Sequence, residues 1–310
     1  MKANYCAALA RSVVLAAIVV LVPGCVTVEP GAPQALQTAM AADHQATLAV
    51  LQAVNTDAAP YLVQLGLAPS KQTFTEADLY LVDPKDIAAW DQILGGLDAY
   101  CAALTALASG KSSSDFVAAT EGLAGSVQAL GKSVKSDTQP YTAVGGTALA
   151  GIGSLLIQHQ ADAGLQRIAR AADPDFQRIV QTLVAALGFE GSPPGQPAAH
   201  GLCAAYSRVF DTATAASRKE FKNGEIAGFA GMTAAQRADA IHALAAWLAA
   251  GQAHARVVAS LTDLAVALDK AGRAHAALAT GSDADVAREF AALKAQVATI
   301  VTIYQTLKKQ

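Results

Sequence analysis

Six histidines, four cysteines and a thin scatter of carboxylates are the groups in this chain able to carry chemistry, and their spacing excludes most of it. A catalytic zinc site wants two ligands one helical turn apart, as in His-Glu-x-x-His. His44, His159, His200, His242, His254 and His275 contain no such pair. His242 and His254, twelve residues apart, would sit about three turns from each other on one helix. The six read as core or surface histidines, and no metal site is expected. A serine nucleophile on a strand-to-helix elbow needs Gly-x-Ser-x-Gly. Gly151-Ile152-Gly153-Ser154 does not supply those flanking glycines. Asp263 and Asp269, six apart, face different ways, whereas glycan cleavage needs two carboxylates across a cleft. Phosphate binding fails on spacing too. Five residues separate Gly125 from Gly131-Lys132-Ser133 where the P-loop has four, and Gly110-Lys111-Ser112 has Thr105 in place of the first glycine. No catalytic residue, cofactor or nucleotide is expected.

Thiol chemistry is the exception. Residues 12–25 read Ser-Val-Val-Leu-Ala-Ala-Ile-Val-Val-Leu-Val-Pro-Gly-Cys, preceded by Lys2 and Arg11. A positive start, an uncharged apolar run over Val13–Val22 and a small residue at the end form the three-part layout of a secretory signal. The apolar run is shorter than the roughly 20 residues of a comfortable membrane span. Val22, Gly24 and Cys25 fill a lipobox, with Pro23 where Ser, Ala or Thr is usual, so residues 1–25 resemble a bacterial lipoprotein signal. That resemblance implies cleavage after Gly24 and acylation of Cys25 as the first mature residue. With Val26 rather than Asp next, it implies the periplasmic face of the outer membrane. The membrane partner is then the lipid on Cys25.

Cys6 leaves with such a signal, and Cys101 and Cys203 remain. An even pair in an oxidising compartment is a candidate disulfide. Each also lies on an apolar helix face, where a free Cys behaves as a small buried hydrophobe. Cys101 as a nucleophile paired with a distant His is disfavoured, because an apolar seam keeps a thiol protonated.

Composition bounds the rest. The chain is 53% hydrophobic but only 5% aromatic, so helices packed closely through alanine are expected rather than a core of large side chains. The 22 basic residues fall to 20 once Lys2 and Arg11 are removed, against 25 acidic, a net of about −5. A weakly acidic chain without a basic stripe argues against nucleic acid and against electrostatic docking to anionic lipid.

The elements that would position any site are helical. Residues 25–35 form a Pro/Gly-marked tether that reaches at most about 35 Å over its ten residues after Cys25. A helix is expected from about Pro33 to Asn55, interrupted by Pro60, with a shorter helical piece running on to Leu67. Residues 69–83 read as irregular, with slight strand character at Ala77–Val82. Asp83-Pro84 caps a helix on which Ile87, Trp90, Leu94, Leu97, Cys101, Leu104 and Ala108 form a heptad seam ending at Gly110. Phe116, Leu123, Val127, Leu130 and Val134 line the next helix. Asp173-Pro174 repeats the cap before Phe176, Val180, Leu183 and Leu187. Gly191–Pro197 is the clearest break, and a short helix with Cys203, Tyr206 and Phe210 follows. Residues 217–232 read as a mobile loop before Thr233 caps a long helix. Ser282 and Asp285 then open a final helix with Val286, Phe290, Leu293, Val297, Ile300, Tyr304 and Leu307 in register. The turns Ala-Leu-Ala-Ser-Gly at 106–110 and Ala-Leu-Ala-Thr-Gly at 277–281 hint at a weak repeat.

The chain therefore predicts an all-α, elongated antiparallel bundle over 36–310, with coiled-coil-like seams. Its expected role is a non-catalytic, outer-membrane-anchored scaffold or adaptor that meets unknown protein partners through helix faces. Two alternatives stand beside it. A membrane-active helical protein would use the uncharged, Gly-rich segment 142–157, and an enzyme would need an unrecognised helical active site.

Overall fold

A computed structural model describes residues 31–66, 75–110, 113–133, 140–158, 164–189, 200–221, 226 and 228–307. These residues are helical nearly throughout, and no strand occurs among them. Nine α-helices follow in order: α1 Gly31–Gly66, α2 Pro84–Ala108, α3 Ser113–Ser133, α4 Pro140–Gln158, α5 Leu165–Leu187, α6 Gly201–Ala213, α7 Ala215–Glu220, α8 Ala234–Thr280 and α9 Asp283–Leu307. The architecture is the expected helical bundle.

Three helix starts form where local capping dictates. The Asp83 carboxylate accepts from the Lys85 N–H with Pro84 next in line. Thr233 and Gln236 exchange the two bonds of a capping box at α8. Ser282 and Asp285 do the same at α9. Each satisfies donors that the first turn cannot pair internally.

Elsewhere packing overrides local signals. Helix α1 does not stop near Asn55 but runs through Pro60 to Gly66, because Ala58 is buried and Tyr61 stacks edge-on against Phe210. Helix α5 starts after Gly164, nine residues ahead of Asp173-Pro174, and passes straight through it. A proline inside a helix costs about 3 kcal/mol. Burial of Ile168, Ala169 and Ala172 on the extra turns offsets that cost. Helix α1 also takes in Gly31–Ala35, assigned above to the tether. A 3-10 turn, Glu76–Leu79, replaces the slight strand character, and α7 with a second 3-10 turn at Phe229–Gly231 occupies much of 217–232. The break at 191–197 lies outside the described residues.

Several packed pairs run antiparallel, while α2 and α4 run parallel, Ile93 meeting Gly145 and Gly96 meeting Leu149. Gln177 reaches the Gly272 carbonyl and Arg170 the Ala279 carbonyl, so α5 and α8 run antiparallel. His44 pairs with Asp91 and Asn55 with Val82, so α1 and α2 do likewise. Asp43 lies beside Ala267 and Ala271 while α6 links Tyr61 to His254, which sets α1 antiparallel to α8. Small residues permit close approach: a Cβ on Gly145 would lie 2.8 Å from Ile93 Cδ1, and one on Gly96 2.9 Å from Leu149 Cδ1. The two similar turns differ in backbone. Gly110 is left-handed at φ 59°, whereas Gly281 is extended at φ −75°, ψ 164°.

Candidate functional site

A cleft of about 490 Å³ opens where the first turn of α2 meets α5 and the start of α6. Leu51 of α1, Leu81 and Val82, Trp90 of α2, Val144 of α4, Ala185 and Ala186 of α5, and Leu202 and Ala205 of α6 wall it. Among the described residues, Asp86, Thr182 and His200 are its polar side chains. Asp86 is only 8% exposed and occupies the first turn of α2, where the helix dipole favours a carboxylate.

Two devices shape this cleft. Asn55 on α1 holds the 81–82 segment: its Oδ1 accepts from the Leu81 and Val82 N–H groups at 3.0 and 2.8 Å, and its Nδ2 donates to the Val82 carbonyl at 2.8 Å. Both ends of one amide thus fix one wall, its oxygen twice and its nitrogen once. On the other side, Gly188 ends α5 at φ 97° and Gly201 opens α6 at φ 83°. A Cβ on Gly201 would lie 2.4 Å from the Gly188 Cα, so the two backbones touch as only glycines allow.

A second polar group lies in the core. Tyr100 Oη and His275 Nε2 are 2.8 Å apart, and His275 Nδ1 is 2.8 Å from Asp173 Oδ1. Gln177 donates to the same carboxylate at 3.0 Å and to the Gly272 carbonyl at 2.7 Å. A carboxylate can only accept, so Nδ1 carries the imidazole proton and Nε2 accepts from the phenol. Burial lowers the His275 pKa and keeps the ring neutral. Burial works to raise the Asp173 carboxyl, but the His275 and Gln177 hydrogen bonds outweigh it and its pKa falls. The order Asp-His-hydroxyl is that of a proton relay. Tyr100 and His275 are wholly buried, with Phe176 stacked on the imidazole at 4.2 Å, so no substrate reaches the phenol. The group ties α2, α5 and α8 together.

Asp43 is the odd carboxylate. It is 3% exposed on α1, neither oxygen has a partner among the described residues, and burial pushes its pKa up to about 8. Thr47 Oγ1, one turn on, is likewise buried and unpaired. A gap of about 10 Å³ beside Asp43, lined also by Met40, Ala271 and Gln296, has room for about one water.

Helix α8 outlasts its neighbours. Its first buried residue is Val257, so residues 234–256 contain none. Trp247 meets Phe221, Arg237 lies over Phe229, and His254 stacks on Phe210, but Ile241 and Leu248 are 50% and 48% exposed.

The residues singled out by sequence fare differently. Cys101 and Cys203 do not form the considered disulfide: both are free and buried, one on α2 and one on α6, as core thiols. Burial raises both thiol pKa values. Cys25 and the apolar run before it lie outside the described residues. In segment 142–157, Ala148, Leu149, Ile152 and Leu156 are core, and only Ile157 of its large residues is well exposed. Among the described residues, no helix is long and apolar enough to cross a membrane, and no three potential metal ligands cluster. The cleft, Asn55 and the Tyr100 network were not legible beforehand, because each joins residues far apart in sequence.

Fold and site define a class, an all-helical bundle with an apolar cleft. Comparison with protein-family models, curated proteins and solved structures returns no match.

Proposed function

We propose that this chain is a non-catalytic, lipid-anchored helical protein of the periplasmic face of the outer membrane, acting as a scaffold or adaptor. The observation that carries the adaptor role is the unburied half of α8. A stretch of 23 residues with Ile241 and Leu248 exposed one heptad apart, and Arg237, Asp239 and Arg256 as its formal charges, is an unusual surface to leave to water. Its occupant is an apolar helix of another envelope protein, packed along the 241/245/248 stripe. Position supports a protein rather than the anchoring membrane. Cys25 precedes Gly31 by six residues, about 20 Å at most. The arm leaves the bundle at the far end of α1, a helix of 36 residues and about 54 Å.

Photocrosslinking in cells tests this with the full chain. A photoreactive residue at 241 or 248 is expected to yield a discrete adduct with another protein, while one at exposed Glu76 yields none. Adducts equal at all three positions, none at all, or an adduct of twice the chain's own mass would overturn the assigned occupant. For the anchor, Cys25→Ala is expected to release the protein from the outer-membrane fraction or leave the precursor uncut. Continued outer-membrane fractionation of a processed variant would refute lipidation.

A further inference from the structure

We propose that α9 is a proton-dependent clasp: it stays docked on α1 and α8 while Asp43 keeps its proton, and it lifts from them as one helix when Asp43 gives that proton to solvent. The carboxyl lies in the seam where the three helices meet. Around it stand Met40 of its own helix, Ala267 and Ala271 of α8, and Leu293, Val297 and Ile300 of α9. Both of its oxygens are buried there without a partner among the described residues. A protonated carboxyl can be kept in such hydrocarbon with one donor to place. A carboxylate in the same seam has lost its water and gained no hydrogen bond in exchange. The charged side chains nearest the seam are committed elsewhere. On the α8 side Lys270 donates to Gln296 Oε1 at 2.8 Å, and Asp263 meets the Gln296 amide through its backbone carbonyl at 3.2 Å. On α1, His44 turns to Asp91 of α2 at 2.7 Å. Ionisation of Asp43 therefore requires that water reach it, and a covering helix must move to admit that water.

The cover that yields is α9. Five of its residues are buried, against twelve on α1 and thirteen on α8. Helix α1 is also held by α2 and α6, and α8 by α5, whereas α9 packs chiefly on α1 and α8. Lifting α9 uncovers Asp43 and leaves the layer of Tyr100, Asp173 and His275 closed. Docked, the carboxyl titrates at about 8; uncovered, it returns to the ordinary 3.8. The docked form is thus most favoured below about pH 4. It loses ground as pH rises to about 8, by up to about tenfold per unit in the ratio of docked to lifted. The proposal does not depend on lipidation or on a partner for α8.

Native-state hydrogen exchange of the full chain tests the clasp, read by mass spectrometry at about pH 5, 6.5 and 8 and corrected for the intrinsic rate. Peptides within 286–300 of α9 are expected to be at least about tenfold less protected than peptides within 168–183 of α5 at every pH, because α9 opens without the rest. Their protection is expected to fall by about a hundredfold or more from about pH 5 to 8. In Asp43→Asn it is expected to change by less than about threefold over that range. Equal protection of α9 and α5, α9 protection that stays flat with pH in the unaltered chain, or a fall that persists in Asp43→Asn would each overturn the proposal. The first two outcomes are read on the unaltered chain, so they decide even if Asp43→Asn folds poorly.

Discussion

Tyr100 and His275 stand 175 residues apart and share a 2.8 Å hydrogen bond in the centre of the bundle. Removing the phenol oxygen by Tyr100→Phe leaves the ring packed against Phe176 but strands the imidazole Nε2 in an apolar core. The expected loss is about 1–3 kcal/mol, the cost of an unsatisfied buried acceptor. Urea denaturation checks it, with the denaturant slope unchanged. His275→Ala, which also opens a cavity and unpairs Asp173, is expected to cost more.

Asp43 predicts an unusual dependence on pH. Its folded pKa, about 8, lies above the ordinary 3.8, so the native state keeps a proton that the unfolded chain gives up. Its contribution is greatest below about pH 4 and declines as pH rises to about 8, by up to ~1.4 kcal/mol per unit. Asp43→Asn keeps the shape without the charge. The variant is expected to be more stable than the parent at pH 9, by roughly 2–5 kcal/mol, and to differ little at pH 4. Urea midpoints at pH 4, 7 and 9 decide; parallel pH profiles for the two proteins would contradict the assignment.

Two glycines predict opposite signs. Gly201→Ala places a methyl 2.4 Å from the Gly188 Cα on a left-handed backbone, and is expected to destabilise by about 2–4 kcal/mol. Gly251→Ala meets nothing within 4 Å on the unburied half of α8. It is expected to raise helicity there and leave the bundle's melting unchanged or slightly improved, by up to about 1 kcal/mol. Circular dichroism melts of both variants measure the contrast.

The thiols of Cys101 and Cys203 are wholly buried and held protonated. Alkylation by a maleimide at pH 7 is expected to be slow in the native protein and complete for both in 6 M guanidinium. Intact mass after mild oxidation should not fall by two hydrogens per chain. A fall that reductant reverses would restore the disulfide.

What could be read beforehand was what is local. Asp83-Pro84, Thr233-x-x-Gln236 and Ser282-x-x-Asp285 mark helix starts because capping is settled within four residues. The α9 stripe from Val286 to Ile300 is buried at Phe290, Leu293 and Ile300 as its spacing requires. Pro60 and Pro174 mislead for the opposite reason: whether a helix tolerates proline depends on what its next turn buries, and that is decided by α6 and α8. His275 read as a core or surface histidine like the other five, not as the hub of a network, since Tyr100 and Asp173 come from other helices. The cleft has no sequence signature. Its described lining is drawn from five helices and a turn, and its residues are ordinary core types apart from Asp86, Thr182 and His200.

The unburied half of α8 gives the alanines a second meaning. Eleven of residues 234–256 are alanine, and none of them is buried, so close packing of a core is not what they serve here. What alanine supplies in that position is intrinsic helicity, the lowest cost of any residue for keeping a turn wound in water. The segment is about 35 Å of rod ahead of Val257, touched along its length by Phe210, Phe221 and Phe229 and wound chiefly by its own backbone. One continuous helix thus joins Ile241 to the layer where His275 is held, so the exposed stretch and the core share a single backbone.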